Sequence, residues 1–204
     1  MSLHEFAFLS TSTYLNCPSR AQAPEMPFAI AGICFDGAVT NRPGARFAPQ
    51  EIRLASKMLC DAIHPLFDVS PHGMLCDAGD LRLPNTSLSA MRALTQEQAE
   101  KLMRQHHMLW LGGDHSITLA LLRALNVVHQ GPVALLHFDA HCDTWQDHFG
   151  EPSGHGTWTY EALQEGLVIP SATIQIGIRS SGQREAREYV NSVGGRVFTA
   201  RELR

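Results

Sequence analysis

Short apolar runs alternate along this chain with longer stretches in which apolar and polar residues mix. Short continuous apolar runs are typical of strands buried on both faces, and the mixed stretches favour amphipathic helices. The runs predict strands at 28–35, 74–77, 108–111, 132–138, 173–178 and 197–199. The mixed stretches predict helices at 49–58, 85–106, 117–129, 157–166 and 183–193, the first with Pro49 in its opening turn.

This alternation of strand and helix predicts an α/β fold: three layers, with a mostly parallel sheet covered by helices on both faces. Residues 1–27, rich in Ser, Thr and Pro, predict an irregular leader. Residues 28–204 then form one α/β domain, because neither a repeat nor a low-complexity segment divides them.

Composition narrows the class of protein. The chain has 204 residues, of which 44% are hydrophobic and 18% charged, with a net charge of −4. These values fit an ordinary globular domain and predict neither a nucleic-acid partner nor a membrane partner. The 5 cysteines are odd in number and form no C-x-x-C pair. We therefore expect a reducing cytoplasm, without disulfides or a cysteine zinc site.

Polar clusters follow two of the predicted strands. Residues 112–116 read G-G-D-H-S, and residues 137–143 read H-F-D-A-H-C-D. One helix and one strand separate the two clusters, so a right-handed crossover would place them on neighbouring parallel strands. Both would then lie at the carboxyl edge of the sheet, where ligands bind in open α/β folds.

The second cluster has the pattern D-x-H-x-D. If its backbone stays extended, Asp139, His141 and Asp143 point the same way, and a divalent cation would neutralise them. Carboxylate and imidazole ligands without a thiolate favour Mn²⁺, with Fe²⁺, Co²⁺ and Zn²⁺ left open. His137 lies inside the strand, and we interpret it as a buried residue that orients a ligand. Cys142 is interpreted as a packing residue.

Structural explanations exist for each cluster alone. A turn followed by a capping aspartate accounts for G-G-D-H, and an isolated D-x-H-x-D is a weak signal. The two together, each after an apolar strand, favour a metal site. Trp145 and Trp158 are expected to pack the walls of the cleft rather than to bind a cofactor.

The paired motifs G-G-D-H-S and H-F-D-A-H-C-D-T-W resemble the arginase/agmatinase ureohydrolase family. The resemblance extends from about residue 28 to the end of the chain. It includes elements at 35–37, 43–46, 48–53, 77–80, 154–157 and 175–179.

The resemblance implies an arginase-like three-layer fold and manganese-dependent hydrolysis of a guanidinium group to urea and an amine. It implies two Mn²⁺ ions, and it places His115, Asp139, His141 and Asp143 on ligand positions, with Asp139 bridging the metals. His155 falls on the position of a histidine that relays protons or contacts substrate. Asp114 would hold a metal ligand in place without binding the metal itself. The family also implies a homo-oligomer, a trimer or hexamer.

The substrate implied by the resemblance is agmatine, with putrescine as the amine product. Arginases follow the ligand motif with D-I-N and later have S-G-N-x-H, which hold the amino-acid head group. Here Thr144 and Trp145 follow Asp143, and residues 153–155 read S-G-H. A guanidinobutyrase or a related guanidino-acid hydrolase is the alternative.

One element of the family pattern has no counterpart here. The family's second metal motif, a D-x-D pair, and its late glutamate would follow Arg179, and nothing after that residue resembles them. The resemblance therefore implies that the carboxyl-terminal third is missing from this sequence. A catalytically incomplete binding or decoy subunit is one alternative, and a deacetylase-type enzyme with one zinc is another.

Overall fold

The structure is a computed structural model that describes residues 12–59, 62–147 and 149–203. It is an α/β protein with parallel strands, as the sequence predicts. The chain divides into two compact units, Met1–Ile117 and Thr118–Arg204. Each unit contains one parallel sheet of three strands.

The first unit holds its sheet in the order β2-β1-β3. Its elements are β1 (Phe28–Ile33), α1 (Ala48–Ser56), β2 (Leu75–Asp80), α2 (Leu88–Met103) and β3 (His107–Gly112). Strand β1 lies in the centre, where Phe28 is in register with Leu75 on one side and His107 on the other. All of β1 beyond its first residue is buried, which explains its continuous apolar sequence.

Part of the predicted leader packs on this core. A short 3-10 helix, Tyr14–Asn16, places Leu15 in a cluster with Ile30 and Leu111. Further along, Ser19 forms an isolated parallel bridge with Asp77. Residues 12–27 therefore contribute to the first unit, while the start of the leader, residues 1–11, lies outside the described residues.

The second unit holds its sheet in the order β4-β5-β6. Its elements are α3 (Ile117–His129), which starts at the boundary, β4 (Val133–Phe138), α4 (Trp158–Gln164), β5 (Val168–Ile178), α5 (Arg184–Ser192) and β6 (Arg196–Thr199). Trp158 is the largest side chain in its core and packs with Leu119, Leu122 and Val168. Packing of Trp158 in the core of the unit therefore fixes the first residue of α4.

The predicted strands and helices all occur, but one predicted adjacency is wrong. We expected β3 and β4 to be neighbouring strands, whereas β3 pairs with β1 and β4 pairs with β5. A crossover helix makes the next strand run parallel to the previous one. It does not determine which strand becomes the neighbour of that next strand. Strand β4 also leaves apolar side chains exposed, with Leu136 58% and Phe138 69% accessible. Of the helices in the described residues, none is long and apolar enough to cross a membrane.

Candidate metal centre

The turn after β3 carries Asp114 and His115. The buried Asp114 carboxylate accepts hydrogen bonds from the amides of Ala38 and Ser116, both at 2.9 Å, and from the Ser116 hydroxyl. Its own amide donates to the Phe35 carbonyl at 2.8 Å. The turn is therefore fixed against the chain that leaves β1, and it presents the half-buried His115 at the start of α3. The ligand role of His115 and the supporting role of Asp114 stay predictions.

Glycine permits this turn to approach β1 closely. A Cβ on Gly113 would lie 2.5 Å from the Phe35 carbonyl oxygen and 2.6 Å from that of Ile33. Both contacts are with backbone, which cannot move aside as a flexible side chain can. The second glycine of G-G-D-H thus serves packing.

The loop after β4 is held by the end of β5. The Asp139 amide donates to the Ile176 carbonyl at 3.0 Å, and the Ala140 carbonyl accepts from the amides of Arg179 and Ser180 at 2.9 and 3.0 Å. Gly177, with φ of +93°, lies against the Asp139 carbonyl, where an added Cβ would be 3.2 Å away. These contacts fix the backbone that carries Asp139 and Asp143.

Three side chains of the second unit converge at this loop. His137, Asp139 and Asp143 each offer one ligand atom, and these atoms lie within 4.8 Å of one another. Asp143 is 3% exposed and has a φ of 51°, a left-handed conformation that aspartate tolerates better than most residues. The two carboxylates are ligands that suit a hard or borderline divalent cation.

Trp158 orients one of these carboxylates. Its indole Nε1–H donates to Asp143 Oδ2 at 2.7 Å, and its ring contacts the ring of His137 edge-on at a centroid distance of 4.9 Å. The Asp143 carbonyl also accepts from the Thr159 amide at 3.0 Å. The sequence predicted a packing role for Trp158. The residue does pack in the core, and it also binds a candidate ligand, which no local pattern signals.

Gln175 determines which nitrogen of His137 carries the proton. Its Nε2 donates to the Cys142 carbonyl at 2.6 Å and also contacts His137 Nδ1 at 3.0 Å. A carbonyl can only accept, so the amide group must face it, and Nδ1 then accepts the second N–H. The proton of His137 lies on Nε2, 3.3 Å from Asp139 Oδ2. His137 is therefore a donor that orients Asp139.

His141 does not belong to the group of converging atoms, although it contacts Asp139. Its side chain is 60% exposed, with Nδ1 3.3 Å from Asp139 Oδ1, and its amide donates to that same oxygen at 2.8 Å. The chain bends at Ala140 and His141, so the extended backbone that we assumed for D-x-H-x-D does not persist. The ligand role of His141 stays a prediction.

The loop that carries His155 is anchored on α4. The Glu161 carboxylate accepts from the hydroxyls of Ser153 and Thr157 at 2.8 and 2.6 Å, and Thr157 Oγ1 accepts from the Gly154 amide at 2.9 Å. His155 is half-buried between these anchors. Sequence reasoning missed Glu161, which is one polar residue among several on a helix. The proton-relay role of His155 stays a prediction.

Comparison with known proteins identifies the family. Residues 26–204 match the model of the Arginase family, so the chain belongs to that family. It is 35% identical over 198 residues to proclavaminate amidinohydrolase of Streptomyces clavuligerus, covering 94% of this chain and 62% of that protein. A solved structure of that amidinohydrolase superposes with a TM-score of 0.85 at 32% identity, covering 98% of this chain and 67% of the other.

Two further relatives carry different names. An agmatinase of Chromobacterium violaceum is 40% identical over 156 residues, covering 74% of this chain and 48% of that protein. A guanidinopropionase of Pseudomonas aeruginosa is 35% identical over 183 residues, covering 85% of this chain and 55% of that protein. This chain thus spans between about half and two thirds of the relatives that it matches.

Proposed function

We propose that the whole protein is a divalent-metal-dependent hydrolase of guanidino compounds that releases urea and an amine. The observation that carries the proposal is the convergence of the Asp139 and Asp143 carboxylates, with His137 beside them as a donor, in a member of the Arginase family. We further propose two Mn²⁺ ions, with His115 and His141 completing the ligands that this chain supplies.

The donor set fits such ions. Oxygen and imidazole nitrogen are ligands that Mn²⁺ accepts, and the fully buried thiol of Cys142 does not belong to the converging group. When bound, divalent cations lower the pKa of a bound water and polarise the group under attack. That chemistry suits a guanidinium carbon, which is a poor electrophile.

The surrounding residues of the chain would hold the ligands in place. Trp158 donates to one oxygen of Asp143, and His137 donates to one oxygen of Asp139. Gln175 keeps His137 in the tautomer that can donate. Such supporting contacts typically change metal affinity by about 10–100-fold when removed. His155, on its anchored loop, would pass a proton to the leaving amine.

Agmatine is the substrate that we propose within this class. The arginase motif D-I-N has its asparagine where this chain has Trp145, and an indole lacks the carboxamide of asparagine. This supports a substrate without an amino-acid head group. A guanidino acid is the second candidate, because the guanidinopropionase matches 183 residues of this chain and the agmatinase of Chromobacterium violaceum matches 156.

The test compares kcat/KM of the whole protein, loaded with Mn²⁺, for agmatine, arginine, 3-guanidinopropionate and 4-guanidinobutyrate. We expect the highest value for agmatine. A preference for either guanidino acid would replace agmatine and keep the reaction class. Full urea release after exhaustive chelation would refute the metal-dependent proposal itself.

The remaining properties are proposals by family resemblance. We propose that the whole protein is a cytoplasmic homo-oligomer, a trimer or a hexamer, and that its partner is a small guanidino substrate. Light scattering of the whole protein at several concentrations would test the assembly, and a mass equal to one subunit throughout would contradict it.

A further inference from the structure

A second polar cleft lies within the second unit, at the carboxyl ends of β5 and β6. Its volume is about 540 Å³, and α5 forms one of its walls. The residues of the converging donor group do not line it. Ligands of open α/β sheets collect beyond the carboxyl ends of strands, so the position is suitable for binding.

Arginine side chains dominate the lining of this cleft. Arg179, Arg187 and Arg201 all contribute. Arg179 Nη1 donates to the Gly177 carbonyl and Arg187 Nε donates to the Gly182 carbonyl, both at 3.1 Å. The remaining guanidinium N–H groups of these arginines have no carboxylate within ion-pair distance in the described part of the chain. A guanidinium with two open N–H groups binds an oxyanion through a pair of parallel hydrogen bonds.

Neutral donors complete the lining. The Ser180 hydroxyl is buried without a hydrogen-bond partner among residues 12–59, 62–147 and 149–203. Asn191 uses Oδ1 to accept from the Val197 amide at 2.9 Å, which leaves its amide N–H groups for the cleft. An unsatisfied buried hydroxyl is costly unless a ligand or water pairs with it.

The two glutamates of the cleft are engaged elsewhere. Glu188 lies 3.5 Å from Arg184 Nε, one turn earlier on α5. Glu202 accepts from the amide and the hydroxyl of Thr199, both at 2.7 Å. These bonds from Thr199 lower the pKa of Glu202, which stays ionised and committed to its turn. Three arginine charges against two occupied carboxylates leave the cleft electropositive.

We propose that this cleft binds a small oxyanion, a carboxylate or a phosphate group, between Arg187, Arg201 and the Ser180 hydroxyl. The site is separate from the candidate metal centre and does not depend on the proposed hydrolysis. A phosphate and a carboxylate present the same acceptor oxygens to a guanidinium. Their relative affinities therefore identify the natural headgroup.

The experiment titrates the protein with inorganic phosphate, acetate or succinate at constant ionic strength, followed by calorimetry or by amide chemical shifts of the second unit. We expect saturable binding at millimolar concentrations, with the largest shifts at residues 179–182 and 199–202. The tightest of the three anions identifies the headgroup. Arg187→Gln combined with Arg201→Gln should weaken binding about tenfold or more, because charge-assisted hydrogen bonds are lost.

Arg196→Gln is the matched control. It removes one positive charge, as Arg187→Gln or Arg201→Gln alone does, from an exposed arginine of β6 that contacts the ring of Phe198 and does not line the cleft. Binding should persist in this control, and Ser180→Ala should weaken it without any change of net charge. Absence of saturable binding to all three anions would overturn the proposal. Equal weakening in the control and the double variant would do the same, since it would indicate unspecific charge attraction.

Discussion

Each unit contains a pair of aspartates in or after a strand, and the two pairs have different partners. In the first unit, Asp77 and Asp80 lie in β2 and bind the guanidinium of Arg53. In the second unit, Asp139 and Asp143 follow β4, where His137 and Trp158 donate to them.

The pair in the first unit forms a closed ionic network. Arg53 is fully buried, with Nε and Nη2 donating to Asp77 at 2.8 and 2.9 Å and Nη1 to Asp80 at 2.5 Å. Burial acts to lower the pKa of Arg53, but the bonds to both carboxylates outweigh it and raise that pKa. The Cys34 thiol lies beside this network, where burial first and Asp80 second raise its pKa to about 12. This network joins α1 to β2.

The pair in the second unit keeps ligand atoms together in one place. Among the donors to this pair are an imidazole, an indole and a backbone amide, and none of these three is a cation such as the guanidinium of Arg53. The contrast teaches that an acidic pair after a strand is not by itself a metal site. A buried guanidinium neutralises the first pair, whereas the ligand role of the second pair stays a prediction.

The largest expected effect concerns Asp139→Asn in the whole protein. Loss of a charged ligand should lower urea release by about three orders of magnitude and reduce bound Mn²⁺, because the donor set loses a carboxylate. Activity assays and metal analysis would measure both. Asp147→Asn is the control, since Asp147 is exposed and accepts from the Gly150 amide outside the donor group. Normal metal content in Asp139→Asn would show that the two aspartate pairs do not differ as described.

A large loss of stability is expected for Arg53→Met. The substitution leaves Asp77 and Asp80 buried without their cation, which typically costs about 3–5 kcal/mol. Denaturant unfolding monitored by circular dichroism would measure the change. Lys101→Met is the control, because Lys101 forms an exposed pair with Glu97 and should change stability by less than about 1 kcal/mol. Equal losses in both variants would contradict the structural assignment of the first pair.

A moderate effect is expected for Trp158→Phe. The aromatic packing is largely kept while the bond to Asp143 is lost, so Mn²⁺ affinity should fall by about 10–100-fold. Titration with Mn²⁺ would measure it, with Trp110→Phe in β3 as the control. If Trp158→Phe binds Mn²⁺ as tightly as the unmodified protein, the indole only packs.

The smallest effect is expected for Asp139→Asn on the metal-free protein. Asp139 is partly exposed and close to a second carboxylate, so loss of its charge should change the free energy of unfolding by less than about 1 kcal/mol. Asp77→Asn, in the network of Arg53, should cost several times more. Denaturant unfolding of both variants in the presence of a chelator would measure the two losses of unfolding free energy. A larger loss for Asp139→Asn than for Asp77→Asn would remove the distinction between the pairs.

The sequence by itself determined the elements and where chemistry is concentrated. Each strand from β1 to β6 coincides with or overlaps a predicted apolar run, because a strand buried on both faces needs a continuous apolar sequence. The bounds of α3 were predicted to the residue. Asp139 and Asp143 were identified from spacing at the end of such a strand, and the resemblance to the family came from the same motifs.

Only the tertiary structure decided how these elements pair and which side chains meet. It placed β3 beside β1 and β4 beside β5. It brought Trp158 and Gln175, distant in sequence, onto Asp143 and His137. A single bend after β4 also separated His141 from the direction of its neighbours. The physical reason is that local sequence fixes periodicity and backbone preference, whereas contacts between remote segments depend on packing that no local pattern encodes.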